Sequence, residues 1–469
     1  MATSGSGALP RSTPAAQGVA AAGISAMLEA LAARQAQLHG LMVLRHGTVI
    51  AEGWWRPYAP DIPHALYSLS KSFTSTAVGL AIGEGLLSLD DTVVSFFPED
   101  LPPTVGPNLA VMRVRHLLTM HSGHATDTGG RGQNASPGNW VRAFLSLEVE
   151  HAPGTRFVYN NGASFMLSAI VQRVTGLPLL EYLTPRLFRP LGIADPTWTS
   201  SPRGIQAGGW GLSLKTEDIA RFGQLYLRQG RWNGAQLVPE AWVRAATSRQ
   251  VDSAGNGGAV DWTQGYGYQF WRCRHGAYRG DGAYGQYCLV MPDQDVVVAI
   301  TGGTDNMQVV LDCVWEHLLP AVGGAEGGDA ALGTRLAGLS LAPTGDGPPG
   351  LPLAGRRYRM EANAAGLDAV TVDASGGECR AEFAGAGTPR TIVCGANRWL
   401  VTDVPPSPGE APTPCAGHAV RQADGGLRLD WYFVRTPFGA TLRLIPDTGG
   451  VEVRLRMNVD DDGVTIRGA

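Results

Sequence analysis

Two residues three positions apart, Ser68 and Lys71, carry the most chemistry in this sequence. On a helix, positions i and i+3 share a face, so a hydroxyl and an amine at this spacing can meet. A serine hydroxyl is a weak nucleophile and needs an adjacent base. A lysine amine becomes that base near neutral pH only when its pKa, about 10.4 in water, is pulled down. Leu66, Leu69, Phe73 and Val78 flank the pair, and burial in such an apolar segment lowers an amine pKa. Of 37 basic residues only Lys71 and Lys215 are lysine. The others are arginine, which stays protonated and cannot serve as a base. The spacing alone is weak evidence, because chance also places it on surface helices.

A second set is Tyr159-Asn160-Asn161, preceded by Pro153-Gly154-Thr155. A tyrosine near a lysine can shift toward the phenolate and act as base or proton shuttle. An asparagine amide can orient a substrate carbonyl and hold the lysine. By itself, Tyr-x-Asn reads as an ordinary loop. A third set, Gly280-Asp281-Gly282-Ala283-Tyr284-Gly285, matches the dinucleotide fingerprint G-x-G-x-x-G. That fingerprint must open a helix, whereas a strand pattern follows here, so the match is rejected. A glycine-rich strand edge that a substrate can approach is the better role. There the amide of Ala283 can join that of Ser68 in an oxyanion hole. His116, His121 and His124 come with no matched carboxylate and no His-Glu-x-x-His pattern, so no metal is expected. The Gly-x-Ser-x-Gly elbow is absent, which argues against an α/β-hydrolase.

The elements that must position these residues follow from periodicity. Ile24, Met27, Leu28 and Leu31 mark an amphipathic helix over residues 19–39. Apolar runs on either side of His46-Gly47 predict a hairpin. A long helix is expected from Ser68 to Leu87. Helical stretches over 114–120, 139–147, 163–174 and 179–188 follow, with no convincing strand pairs between 90 and 205. Thr216 is read as capping another helix, with Glu217 and Asp218 in its first turn. Residues 266–273, 284–291 and 296–301 read as three strands, and 307–319 as a closing helix. This order fits an α+β domain with a helical insertion and does not fit alternating βαβ units. The expected division is a flexible N-terminus (1–18), a hydrolase domain (19–322, helical subdomain about 90–205), a Gly/Pro-rich linker (323–355) and a small all-β, barrel-like domain (356–469).

The 469 residues, 44% hydrophobic and 17% charged, describe an ordinary globular chain. A net charge of -4 offers no basic field for nucleic acid. No apolar run reaches the roughly 18 residues of a membrane span. Met1–Gly18 lacks the basic and apolar regions of a signal peptide, and the six cysteines form no C-x-x-C pair. Reduced thiols and a cytoplasmic location are the expectation. Trp54, Trp55, Trp210, Trp262 and Trp271 are candidate pocket walls, with core packing the stronger reading of each.

Taken in order, Tyr67-Ser68-Leu69-Ser70-Lys71, Tyr159-Asn160-Asn161 and Gly280-Asp281-Gly282 resemble the serine β-lactamase and penicillin-binding-protein superfamily. The resemblance is strongest to class C β-lactamases, family VIII carboxylesterases and nylon-oligomer hydrolases. It covers roughly residues 15–322. Arg115 to Gly123 and Leu187 to Gly192 are further landmarks. It implies a β-lactamase-like antiparallel sheet flanked by helices, acyl transfer through Ser68, Lys71 and Tyr159, and no cofactor. Asn161, Gly280, Asp281, Gly282 and Ala283 fall on the substrate and oxyanion side. Which of Lys71 and Tyr159 is the base stays open. The superfamily's Lys-Thr-Gly is replaced by Gly280-Asp281-Gly282, so its cation is gone. Asp281 is expected to repel a substrate carboxylate, with Arg279 compensating in part. Weak or absent β-lactam hydrolysis follows, with a small-molecule ester or amide as substrate, no membrane or nucleic-acid partner, and a homodimer allowed. The alternatives are a biosynthetic transacylase, a D,D-peptidase or β-lactamase, and a catalytically inactive binding protein.

Overall fold

Ile24, Met27, Leu28 and Leu31 are buried along one face of helix α1, Ala21–Ala33, as their spacing predicts. The hairpin forms as β1, Leu38–Arg45, and β2, Thr48–Trp54. Its two connecting residues, His46 and Gly47, have φ of 53° and 77°. That backbone twist matches the twist of the strands it joins. These features come from a computed structural model that describes residues 7–131, 136–324, 327–342, 355–362, 367–375, 377–385, 390–407, 409–447, 450–460 and 463–468.

Three helices carry the next part of the fold: α2, Ser70–Gly83; α3, Asn161–Thr175; and α4, Thr216–Leu227. Strands β3, Trp271–Arg272; β4, Tyr278–Gly282; β5, Gln286–Met291; and β6, Val296–Gly302, complete a sheet with hairpin β1–β2. Its order is β2-β1-β6-β5-β4-β3, antiparallel throughout. Both faces are covered. Met42 and Leu44 point into one core with Phe73 and Phe222, while Leu41 and Val43 point into another with Ile24 and Leu28. The two-residue period of the strand assigns alternate side chains to the two cores. Helix α5, Met307–Cys313, closes the second core with Val310 and Leu311.

Several expectations change. The helix read from Ser68 starts at Ser70, because a 3-10 turn, Tyr67–Leu69, precedes it and Tyr67 has a left-handed φ of 49°. One two-residue strand, Thr197–Trp198, does occur between 90 and 205, but its partner, Leu212–Leu214, lies beyond that range and also pairs with His64–Ala65. The strand read over 266–273 shrinks to β3, since Gln269 takes a positive φ of 61°. The cap of α4 is Lys215, whose N–H donates to the Asp218 carboxylate at 3.2 Å, and not Thr216.

The stretch 323–355, read as a linker, contains helix α6, Asp329–Ala337. Leu332 and Leu336 are buried in the second core, and their three-residue-plus-one spacing outweighs the glycine-rich composition around them. Part of the N-terminus read as flexible is also docked. Val49 N–H donates to Pro10 O at 2.8 Å and Ser12 N–H to Val49 O at 2.9 Å, extending the edge of β2. Residues 1–6 and 343–354 lie outside the described residues.

Beyond α6 the described chain is all strand: β7, Arg356–Arg359; β8, Leu367–Ser375; β9, Glu378–Gly385; β10, Arg390–Ala396; β11, Leu400–Val404; β12, Thr413–Arg421; β13, Leu427–Phe433; β14, Gly439–Asp447; β15, Gly450–Met457; and β16, Val464–Gly468. They form one sheet in the order β7-β8-β9-β10-β12-β13-β14-β15-β16, with β11 alongside β12. Among the described residues its pairings run as an open path, so the barrel-like closure is not among them. The β13–β14 turn reaches back to the first part of the chain: Ala65 N–H donates to Arg435 O at 2.8 Å and the Tyr58 hydroxyl to Thr436 O at 3.0 Å. Beneath it lie two buried histidines, with His39 Nδ1 3.0 Å from His64 Nε2.

Candidate active site

The nucleophile candidate lies in a turn braced on both sides. Leu66 N–H donates to Leu212 O at 2.9 Å. The Ser70 hydroxyl donates to Tyr67 O at 2.6 Å and accepts from Leu212 N–H at 3.1 Å. Ser68 is thereby held at the mouth of α2, and Lys71 hangs one turn below it. Lys71 Nζ is 3.0 Å from Ser68 Oγ, 2.7 Å from Asn161 Oδ1 and 2.7 Å from Gly209 O. The amine is buried, with only 1% of the residue exposed. Burial pulls its pKa down to about 7, against the opposing pull of the Asp127 and Asp281 charges.

Tyr159 is half-buried on the other side of the amine, whose Nζ stands 4.8 Å from the ring centroid. The ring stacks on Trp271 at 5.5 Å. Burial pushes the phenol pKa up, and the Asp281 charge pushes it further. Ser68, Lys71, Tyr159 and Asn161 thus converge although 93 positions separate the first from the last.

Strand β4 passes directly over the turn. A Cβ added at Gly282 would lie 2.0 Å from Leu66 O and 3.1 Å from Ser68 N. One at Gly280 would lie 2.5 Å from both Leu69 Cδ1 and Ser72 Oγ. Glycine at these positions is therefore a matter of close approach. It brings the strand end at Gly282 beside the Ser68 amide. Tyr67 and Tyr284, next to Ser68 and Ala283 in sequence, meet edge to face at 5.3 Å, and Phe438 of the C-terminal sheet packs on both.

Asp281 does not stand as a free charge. Arg279 Nε donates to its Oδ2 at 2.9 Å, and both side chains are buried. Arg279 also donates to Asp261 O at 2.8 Å and lies over the Trp262 ring at 4.3 Å. The compensation expected of Arg279 takes the form of a direct ion pair through Nε, while the Asp281 charge still acts on Lys71 and Tyr159. The guanidinium is fully buried, with Nη2 left without a partner, so it does not replace the missing lysine as an accessible cation. Of the five candidate tryptophans, Trp271 and Trp262 line the back of this site, and Trp210 follows Gly209; Trp54 ends β2 and Trp55 follows it, at the far sheet edge. His121 Nδ1 lies 2.8 Å from Thr119 O and His124 Nδ1 2.9 Å from Ser122 Oγ, while the buried His124 Nε2 has no partner among the described residues.

Sequence reasoning missed Asp127 and Gly209. Asp127 accepts from Asn161 N–H at 2.7 Å, Asn161 Nδ2 at 2.8 Å and Gly129 N–H at 3.0 Å. No local pattern marks it; only the fold brings it to Asn161. Gly209 contributes a carbonyl, which every residue type has.

The family described as Beta-lactamase matches residues 16–307. The 6-aminohexanoate-dimer hydrolase of Paenarthrobacter ureafaciens is 28% identical over 278 residues, 55% of this chain and 70% of that protein. Esterase EstB of Burkholderia gladioli is 28% identical over 216 residues, 40% of this chain and 55% of the esterase, so the chain spans little more than half that relative's length. Among solved structures, the octameric penicillin-binding protein homologue from Pyrococcus abyssi aligns over 95% of this chain and 99% of its own, with a TM-score of 0.52 and 18% identity, a likeness of fold.

Proposed function

The chain belongs to the β-lactamase family, and from that premise we propose that it is a serine hydrolase cleaving carboxylic esters or amides through an acyl-enzyme on Ser68. The observation that carries this reading is the 3.0 Å contact between Ser68 Oγ and a buried Lys71 whose pKa is lowered to about 7. A neutral amine there keeps two N–H bonds for Asn161 Oδ1 and Gly209 O and turns its lone pair to the Ser68 hydroxyl. It takes the hydroxyl proton as Ser68 Oγ bonds to the substrate carbonyl carbon. The amides of Ser68 and Ala283 receive the oxyanion. Tyr159, whose ring centroid lies 4.8 Å from the amine, relays the proton held by Lys71 to the leaving alcohol or amine. Water then attacks the acyl ester, Lys71 again accepts a proton, and Ser68 leaves as the free hydroxyl. The upward shift of Tyr159 and the downward shift of Lys71 support the lysine as base and the tyrosine as donor.

The names of the relatives, a 6-aminohexanoate-dimer hydrolase and an esterase, support the ester or amide class. The Gly280-Asp281-Gly282 strand supports weak β-lactam hydrolysis, since Arg279 is spent on Asp281 and no free cation there can hold a substrate carboxylate. A panel of short-chain nitrophenyl esters, aryl amides and a cephalosporin, run on wild type and Ser68→Ala, tests the reading. Ester or amide turnover lost in Ser68→Ala is expected. Activity surviving in Ser68→Ala, or a cephalosporin turned over faster than the esters, overturns it.

A further inference from the structure

Resting on that hydrolase reading, we propose that Asp127 is a positioning residue that fixes the amide of Asn161, so that its oxygen faces Lys71. An asparagine amide has an acceptor end and a donor end, and turning it by half a revolution exchanges them. In this site the donor end, Nδ2, gives its hydrogen bond to Asp127 Oδ2 at 2.8 Å, and the acceptor end takes one from Lys71 Nζ at 2.7 Å. A carboxylate has no hydrogen to offer, so only one orientation of Asn161 satisfies both neighbours. Asp127 Oδ1 also accepts from the backbone N–H of Asn161 at 2.7 Å and from Gly129 N–H at 3.0 Å. Both oxygens are thus tied to the first residue of α3, and Asp127 cannot turn away without losing three bonds.

The reversed amide would present Nδ2 to Lys71. The lysine lone pair would then be drawn to that donor and away from the Ser68 hydroxyl, which needs it. Asp127 therefore acts through Asn161 on the direction in which the base points. Its charge acts as well. The ionisable groups around the Lys71 amine are Asp127 ahead of α3, Asp281 on β4, and Tyr159, with Arg279 behind Asp281. Arg279 is paired to Asp281, whereas Asp127 spends its oxygens on Asn161 and Gly129.

The test compares Asp127→Asn, Asp127→Ala and Asp127→Glu with wild type, in the full chain. The readouts are the pH profile of kcat/KM on a nitrophenyl ester, the rate of Ser68 labelling by a fluorophosphonate, and thermal melting. Asp127→Asn keeps the shape but sets an NH2 against Asn161 Nδ2, so the amide turns, and it deletes the charge. Both changes favour a neutral Lys71. The acid limb of kcat/KM should move down by about one pH unit, while kcat falls at least tenfold by the loss of one oriented contact. Asp127→Ala should label more slowly, and Asp127→Glu should recover part of the rate. Wild-type kcat and an unmoved acid limb in Asp127→Asn overturn the proposal. A merely structural role would lower the melting temperature and leave the limb in place, which overturns it too. If Asp127→Ala does not fold, Asp127→Asn decides alone. Failure of the hydrolase reading looks different: wild type itself is then unlabelled, or Ser68→Ala remains active.

Discussion

Gly282→Ala tests whether strand β4 forms one wall of the reaction site. The added methyl would lie 2.0 Å from Leu66 O, whereas such atoms rest near 3.5 Å and tolerate little below about 3 Å. The carbonyl cannot retreat, because it accepts from Leu69 N–H at 3.1 Å while the N–H of the same residue is held by Leu212 O. The strand must therefore withdraw by about 1 Å, carrying the Ala283 amide with it. A 1 Å misplacement at a reacting centre costs about 10²-fold in rate. Loss of one oxyanion donor costs about 10²–10³-fold, or roughly 2.7–4 kcal/mol of transition-state stabilisation. Overpacking adds about 1–3 kcal/mol of destabilisation. The assay is burst titration with a nitrophenyl ester, which counts reactive Ser68, followed by kcat and a melting curve. Gly333→Ala in α6, where an added Cβ meets nothing within 4 Å, serves as the control. Expected is a near-wild-type burst amplitude reached 10²–10³ times more slowly. A kcat within threefold of wild type in a folded Gly282→Ala would refute the reasoning.

Three other outcomes are expected. With Lys71 as the base, kcat/KM falls as pH drops through about 7, because the protonated amine cannot take the Ser68 proton; a profile flat down to pH 5.5 speaks against it. The buried His39–His64 pair makes folding acid-sensitive. Burial lowers the pKa of both, that of His64 to about 4, so their contribution is complete above the unfolded value near 6.5 and is lost as pH falls from there toward 4. His64 alone accounts for about 3 kcal/mol at the acid end by this linkage, and melting curves at pH 7.5 and 5, with His64→Gln flattening the difference, measure it. Arg279→Met leaves Asp281 buried without its partner and should destabilise the fold by about 3–5 kcal/mol, seen as a lower denaturant midpoint; a change under 1 kcal/mol would show the pair is not formed as described.

What was legible in the sequence is what depends on neighbours along the chain. The Ser68–Lys71 spacing, the 3.6-residue recurrence of Ile24, Met27, Leu28 and Leu31, and the turn at His46-Gly47 are local patterns with local causes, and each was readable before any fold was known. So was the order of the three chemical sets, which carried the resemblance to the family. Composition misled at residues 329–337, where Leu332 and Leu336 find a core only because β2 and α1 present one. Long-range packing decided the rest. Asp127 and Gly209 sit in unremarkable stretches and matter because the folded chain sets them against Asn161 and Lys71. The charge of Asp281 is visible in the sequence, but its pairing with Arg279 on the same strand face, sealed under Trp262 and Trp271, is a tertiary fact. Residue types and spacings state which groups can exchange protons. Burial and the partners that only three dimensions supply set how readily each group gives up its proton, and here the pKa of Lys71 is lowered by desolvation within the assembled site.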